Sequence, residues 1–242
     1  MTSRVYLDLP LITGATITLP EDAARHLVQV LRMRQGESFV VFNGHGGEYA
    51  ATLSAVGKRE AQATIGAFNA IDRESPLRIS LAQCVSKGDR MDYTLQKAVE
   101  LGVSTIVPLL SERTVVKLDA ERWAKKIEHW RGVITSACEQ SGRTRLPLLL
   151  TPANLDVWLR LEDDGSLRLA LAPGASRQLR QLDATGRAVT LLVGPEGGLS
   201  DAECALAAKY DFVLLALGPR VLRTETAGVA ALAAIQAQWG DW

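Results

Sequence analysis

The sequence predicts an α/β protein: a mostly parallel sheet with helices on both faces, preceded by a small β-rich unit. From Leu77 onward nearly continuous apolar runs alternate with helical patterns, as expected of strands buried on both faces and joined by helical crossovers. Before that point short strand-like runs and a glycine-rich turn dominate. Between the two lies Asp72-Arg-Glu-Ser-Pro76, polar and closed by proline, which reads as a linker. The expected domains are therefore residues 1–72 and 73–242.

In the first part, "VYLDL" (5–9) and "TITLP" (16–20) read as strands, and "FVVFNGHGGEYAATL" (39–53) reads as a hairpin turning at Asn43–Gly47. One helix is expected from Glu21 to Arg32, because Ala24, Leu27, Val28 and Leu31 recur on one face. Together they suggest a small barrel with a single helix. His26, on that helix, reads as a packing or surface residue.

In the second part, strands are expected at "LRISLAQCV" (77–85), "STIVPLL" (104–110), "LRLALA" (167–172), "AVTLLVG" (188–194) and "FVLLAL" (212–217). Helices are expected from about Asp89 to Leu101, from about Asp119 to Ser141, from Ser200 and from Thr224. Trp123, Ile127, Trp130 and Ile134 form a stripe that reads as core or as a subunit contact. Ligands of such sheets bind at the carboxyl ends of the strands.

Composition excludes several classes. No run of about 18 or more uncharged apolar residues could span a membrane, and the N-terminal "MTSRVYLDLP" lacks the apolar segment of a signal peptide. Cys84, Cys138 and Cys204 are far apart and unpaired in pattern, which suits free thiols in a reducing, cytoplasmic setting. The three histidines are scattered, so no metal site is expected. Net charge is zero, yet residues 76–145 hold twelve Lys and Arg against eight Asp and Glu. A nucleic-acid partner would thus meet a locally built site rather than bulk positive charge.

Three strand ends share a design, Leu171-Ala-Pro-Gly174, Val193-Gly-Pro-Glu-Gly-Gly198 and Leu217-Gly-Pro219. Proline stops the ladder and glycine allows a tight turn or close approach, although strand-to-helix loops are commonly built this way. The second loop leads into Ser200-Asp-Ala-Glu203, a capping box. Its helix start could attract an anion, but Glu196 would repel phosphate and no phosphate-loop motif occurs. A neutral or cationic ligand fits better. The third loop continues as "RVLRTETAG" (220–228), placing Arg220, Arg223 and Glu225 between an apolar strand and an apolar helix. Either Glu225 and the threonines cap that helix while one arginine pairs with Glu225, or the cluster receives a polar ligand. Burying two arginines is costly without partners, and one glutamate cannot satisfy two guanidinium groups.

"HLVQVLRMRQGE" (26–37), "RMDYTLQKAVELGV" (90–103), "LLSERTVVK" (109–117), "ACEQSGR" (137–143), "LLVGPEGGLSDAE" (191–203) and "LGPRVLRTETA" (217–227) together resemble the RsmE family of ribosomal RNA small-subunit methyltransferases, in the SPOUT superfamily. The resemblance covers nearly the whole chain. It implies a PUA-like β-barrel that binds RNA over 1–72 and a SPOUT domain with a trefoil knot over 73–242. It also implies a homodimer, with S-adenosylmethionine held bent at the interface and no metal. The implied reaction is methylation of N3 of one uridine in 16S ribosomal RNA of the small subunit. Leu171, Ala172, Gly174, Val193, Gly194, Glu196, Gly197, Gly198, Leu217, Gly218, Leu222 and Arg223 would then bind the cofactor. Arg223, or Arg220, would stabilise the uridine imide anion, and Glu225 would accept the N3 proton or orient the arginine. Arg4, Arg32, Lys87, Arg90, Arg113 and Lys117 would contact RNA phosphates. A noncatalytic RNA-binding or ribosome-assembly factor, and a SPOUT enzyme acting on transfer RNA or another base, remain the alternatives.

Overall fold

The computed structural model describes residues 3–57, 60–161 and 165–242. The chain forms two compact units, Met1–Glu74 with Cys138–Leu146, and Ser75–Ala137 with Pro147–Trp242.

The first unit contains β1 (Arg4–Tyr6), β2 (Thr16–Thr18), α1 (Glu21–Arg25), β3 (Ser38–Phe42), β4 (Glu48–Val56) and β5 (Ala61–Asn69). Its sheet has the order β1-β3-β4-β5-β2, with β1 parallel to β3 and the other pairs antiparallel. β1 and β2 are the sheet's edges and, among the described residues, do not pair with each other, so the ladder of the expected barrel is not closed. Inward residues such as Val5, Phe39, Val41, Leu53 and Ile65 meet Ala23, Ala24 and Leu27 in one core. The β3–β4 turn needs glycine at Gly47, where φ is +68° and a Cβ would lie 2.3 Å from the Phe68 ring.

The expected helix from Glu21 to Arg32 differs in its second half. After α1 the chain widens into a π-helical turn, His26–Val30, with the Leu31 N–H bonded to the His26 carbonyl at 2.9 Å. This wider turn rotates the next residues away from the face that an ordinary helix would give them. Ala24 and Leu27 are buried and Val28 packs on the core, but Leu31 is 40% exposed. Arg32 ends the segment with φ of +57°.

Residues 138–146 join the first unit through charge. Arg143 is 4% exposed, and its Nε lies 3.1 Å from both Glu74 carboxyl oxygens. Arg4 pairs with Glu48 and donates to the carbonyls of Gly142 and Arg143, both at 3.2 Å. Arg73 also donates to the Gly142 carbonyl, at 2.9 Å, and the Tyr6 N–H donates to Glu139.

The second unit contains β6 (Ile79–Cys84), α2 (Asp89–Glu100), β7 (Thr105–Leu110), α3 (Ala120–Ser141, whose last turn belongs to the first unit), β8 (Leu148–Leu149), β9 (Ala153–Asn154) and α4 (Leu155–Leu159). It continues with β10 (Leu167–Leu171), β11 (Val189–Val193), α5 (Asp201–Lys209), β12 (Val213–Leu215) and α6 (Thr224–Trp239). The sheet runs β12-β10-β11-β6-β7-β8, with β9 also on β7, and every pairing is parallel. β8, β9 and α4 are too short to impose a period on the sequence.

One face of this sheet, through Ala82, Cys84, Val107, Leu109, Ala170 and Leu192, packs on Leu155 and Leu159 of α4, Ala207 of α5 and Phe212. The opposite parity turns Gln83 and Val193 toward Gly228 of α6. In the tryptophan stripe Trp130 and Ile134 are buried, whereas Trp123 and Ile127 are half-buried. α6 is apolar on nearly all sides, and at its far end buried Gln236 anchors it, donating to the Leu101 carbonyl at 2.7 Å and accepting from Ser75 at 2.9 Å.

Replacing Arg143 by Ala leaves Glu74 without its buried partner. Losses of this kind cost about 3 kcal/mol or more, so Arg143→Ala should lower stability by about that amount in denaturant unfolding.

Candidate functional site

Because β12, β10 and β11 are adjacent and parallel, the loops that leave their carboxyl ends meet. They enclose a cavity of about 200 Å³. The loop after β10 supplies Leu171, Ala172 and Pro173, and the loop after β11 supplies Val193 to Gly198. The chain from Leu215 through Gly218 and Arg220 to Leu222 forms a third wall, and Thr224 and Ala227 of α6 complete the lining. Of the residues expected to bind a cofactor, Leu171, Ala172, Val193, Gly194, Glu196, Gly197, Gly198, Leu217, Gly218 and Leu222 line this cavity; Gly174 and Arg223 do not. Gly174 serves the turn, with φ of +84°.

The loop after β11 folds back on itself, so Gly194 has no room for a side chain: a Cβ would lie 2.8 Å from the Leu199 nitrogen. The expected capping box forms, with the Glu203 N–H donating to the Ser200 hydroxyl at 3.3 Å and the Ser200 N–H to the Glu203 carboxylate at 2.8 Å. Arg113 braces the loop by donating to the carbonyls of Gly197 at 2.7 Å and Leu199 at 3.3 Å. Glu196 accepts from the Lys87 N–H and from Arg90, each at 2.9 Å. Burial alone would raise the Glu196 carboxyl, but the Lys87 N–H, its own backbone N–H and the Arg90 guanidinium outweigh burial and hold it below the usual carboxylate value. The cavity is therefore edged by an anion, with an apolar lining and no phosphate-loop lysine.

The loop after β12 corrects the expectation of buried arginines. Arg220 and Arg223 are both exposed, and among the described residues neither makes an ion pair, so no burial cost needs offsetting. The capping expectation also fails. Arg223 is the N-cap of α6 and no side chain caps the helix; the Thr224 hydroxyl instead donates to the Gly194 carbonyl at 2.7 Å. Glu225 approaches Arg90, at 3.9 Å from Nε, and not either arginine of its own loop. Its other carboxyl oxygen is buried with no hydrogen-bond partner among the described residues.

The expected RNA contacts divide by their partners. Arg4 is taken up by Glu48 and two carbonyls, with its side chain 13% exposed, which makes it structural. Arg90 and Arg113 brace the loop after β11, as does the backbone of Lys87. Arg32, Lys117 and the Lys87 side chain are exposed, and among the described residues form no ion pair. The structure also adds Thr224, and behind it Gln83, whose only sequence signal is an amide inside an apolar strand. Burial pushes the thiols of Cys84 and Cys138 up to about 12, so neither ionises near neutral pH. Among the described residues, no cluster of His, Cys, Asp and Glu could hold a metal ion, and no helix is long and apolar enough to cross a membrane.

Comparison with known proteins gives two domain matches: an RNA methyltransferase domain over residues 73–236 and an RNA methyltransferase PUA domain over residues 19–66. The chain is 32% identical over 238 residues to ribosomal RNA small subunit methyltransferase E of Buchnera aphidicola subsp. Schizaphis graminum, covering 98% of this chain and 97% of that protein. A solved Legionella pneumophila protein in complex with the cofactor SAM superposes with a TM-score of 0.97 at 43% identity, covering 100% of both chains. Ribosomal RNA small subunit methyltransferase E from Neisseria gonorrhoeae, bound to S-adenosyl methionine, does so with a TM-score of 0.93 at 40% identity, again over 100% of both.

The lowered Glu196 carboxyl has a direct consequence for pH. Its contribution to stability is present above the ordinary carboxylate pKa and is lost as pH falls through its depressed folded value. Thermal melts of Glu196→Gln and the native protein from neutral to acid pH should therefore converge toward the acid end, with the variant less stable only at the higher pH values.

Proposed function

This chain belongs to the ribosomal RNA small subunit methyltransferase E family, and from that premise we propose that it transfers a methyl group from S-adenosylmethionine to N3 of a specific uridine in 16S ribosomal RNA. The convergence of three strand-end loops on one cavity, with Arg220 and Arg223 exposed beside it and free of ion pairs among the described residues, carries the proposal.

The residues suit the donor. The lining is mainly Leu, Val, Ala and Pro, and the backbone N–H groups of Leu217, Gly218 and Leu222 have no hydrogen-bond partner among the described residues. An apolar body with a few hydrogen-bonding edges fits such a wall, and the Glu196 carboxylate favours positive over negative charge at the rim. Bound S-adenosylmethionine supplies an electrophilic methyl group on a sulfonium.

The chain's own residues act on the RNA. Leu171, Val193, Leu217 and Leu222 hold the donor in place and exclude water, which leaves positioning as a main catalytic resource. Arg223 stabilises the imide anion as its charge spreads from N3 onto O2 and O4, and Arg220 stands on the same loop as a second donor. Glu225, whose carboxylate is partly exposed, accepts the N3 proton directly or through water. Arg32 and Lys117 contact phosphates and set register without reading sequence. The first unit binds RNA, and the second, which carries Lys117, adds its own phosphate contact and carries out transfer in the cytoplasm. A second copy of the chain covers α6, whose Ala230 and Ala237 are exposed although the helix is apolar almost all round.

Incubation with labelled S-adenosylmethionine and small ribosomal subunits lacking the modification, followed by mapping of the labelled base, should yield 3-methyluridine at one position. Label on another base, or none on naked RNA, partial subunits and complete subunits alike, refutes the proposal. Arg223→Ala should lower kcat by about 10²–10³-fold, the usual effect of losing one preorganised donor, with cofactor affinity nearly unchanged. Glu225→Gln should lower kcat and change its pH dependence; full activity across pH removes Glu225 as the base.

A further inference from the structure

Gln83 stands beside Leu81, Ala82 and Cys84 in β6 as a polar residue that is 0% exposed. Burying an amide costs free energy unless its groups are paired. Its Nε2 donates to the Cys84 carbonyl at 2.9 Å and to the Thr224 hydroxyl at 3.1 Å. Thr224 in turn donates to the Gly194 carbonyl at 2.7 Å. The Gln83 Oε1 has no hydrogen-bond partner among the described residues and faces α6, 3.4 Å from where a Cβ on Gly228 would stand.

We infer that Gln83 is a positioning residue for the proposed transfer, acting through Thr224 to set the loop at Gly194 and the first turn of α6 in one fixed relation. The two ends of the relay have different tasks in the function proposed above, on which this inference rests. Gly194 begins the loop that lines the cavity, whereas Thr224 stands between Arg223 and Glu225.

The geometry favours this role over simple core filling. Leucine would fill the space of Gln83 without an unpaired oxygen, so packing alone gives no reason for an amide. Thr224 is the first residue of α6, where a hydroxyl is free of helical constraint, yet the hydroxyl bonds across to another loop and does not cap the helix. Gly194 lies hard against Leu199, where an added Cβ would stand 2.8 Å from the Leu199 nitrogen, so the carbonyl that Thr224 grips belongs to a tightly folded loop. Gln83 lies on β6 outside the cavity lining, and so acts through Thr224 and not by touching the ligand.

The test uses the full-length protein with Gln83→Leu, Thr224→Val, the double variant and Thr224→Ser. S-adenosylmethionine binding is measured by calorimetry, kcat on small subunits is measured separately, and hydrogen exchange is followed without cofactor. Gln83→Leu and Thr224→Val should each weaken cofactor binding about tenfold and lower kcat. The double variant should be no worse than Thr224→Val alone, because both changes break one relay, and Thr224→Ser, which keeps the hydroxyl, should keep exchange slow at 194–199 and 224–228. In Gln83→Leu and Thr224→Val exchange should quicken at 194–199 and 224–228 together while the centre of β6 stays protected. The inference is overturned if the single losses add, if Thr224→Ser quickens exchange at either segment, or if melting temperature falls while affinity and kcat hold. A native protein that binds no S-adenosylmethionine refutes the proposed function instead. Exchange then still decides the relay: faster exchange at both segments supports it, and exchange unchanged at either segment refutes it.

Discussion

Parallel pairing throughout the second sheet is the constraint on which the site depends. A parallel strand cannot be joined to its neighbour by a tight turn, so each connection crosses over a face and each strand points the same way. All the strand-end loops therefore emerge on one edge. With β10 between β12 and β11, three of them become neighbours although Leu171 and Leu217 are far apart in sequence. Covering both faces with helices explains why these strands are almost wholly apolar, and why Gln83 stands out among them.

Charge is arranged at two levels of burial. In the first unit Arg4, Arg73 and Arg143 are matched to Glu48, Glu74 and the Gly142 and Arg143 carbonyls, so their cost of desolvation is offset locally. At the cavity, Arg90 and Arg113 are spent on the loop after β11, whereas Arg220 and Arg223 remain solvated without acidic partners among the described residues. The formal neutrality of the chain conceals this division. Cations that organise the fold and cations open to an outside anion carry the same letters in the sequence and differ only in neighbours.

The alternation of apolar runs and helical patterns made the parallel sheet and its main helices legible, and the proline and glycine at the ends of "LALAPG", "LLVGPEGG" and "LLALGP" pointed to the three loops that line the cavity. Other features depended on distant partners. No local pattern reveals that residues 138–146 pack with the first unit, since Arg143 meets Glu74 across a long stretch of chain. The π-helical turn was hidden because the apolar spacing from Ala24 to Leu31 suits an ordinary helix, and the widening shows only in the hydrogen bond from Leu31 to His26. The burial of Arg220 and Arg223 was misjudged because flanking apolar runs say nothing about how far a loop projects. Thr224 looked like a cap because threonine commonly is one; its hydroxyl found the Gly194 carbonyl, a partner visible only once β11 and α6 are side by side.

The late position of β12 and α6 has a temporal consequence. Earlier strands can form much of the sheet while synthesis continues, since chains fold in the order they emerge. The third wall of the cavity, however, comes from Leu215–Leu222, and the helix that seats Thr224 runs on to Trp239. A chain made only as far as β11 would lack the third wall, so the cavity is completed only after Leu215–Leu222 and the first turn of α6 have been added.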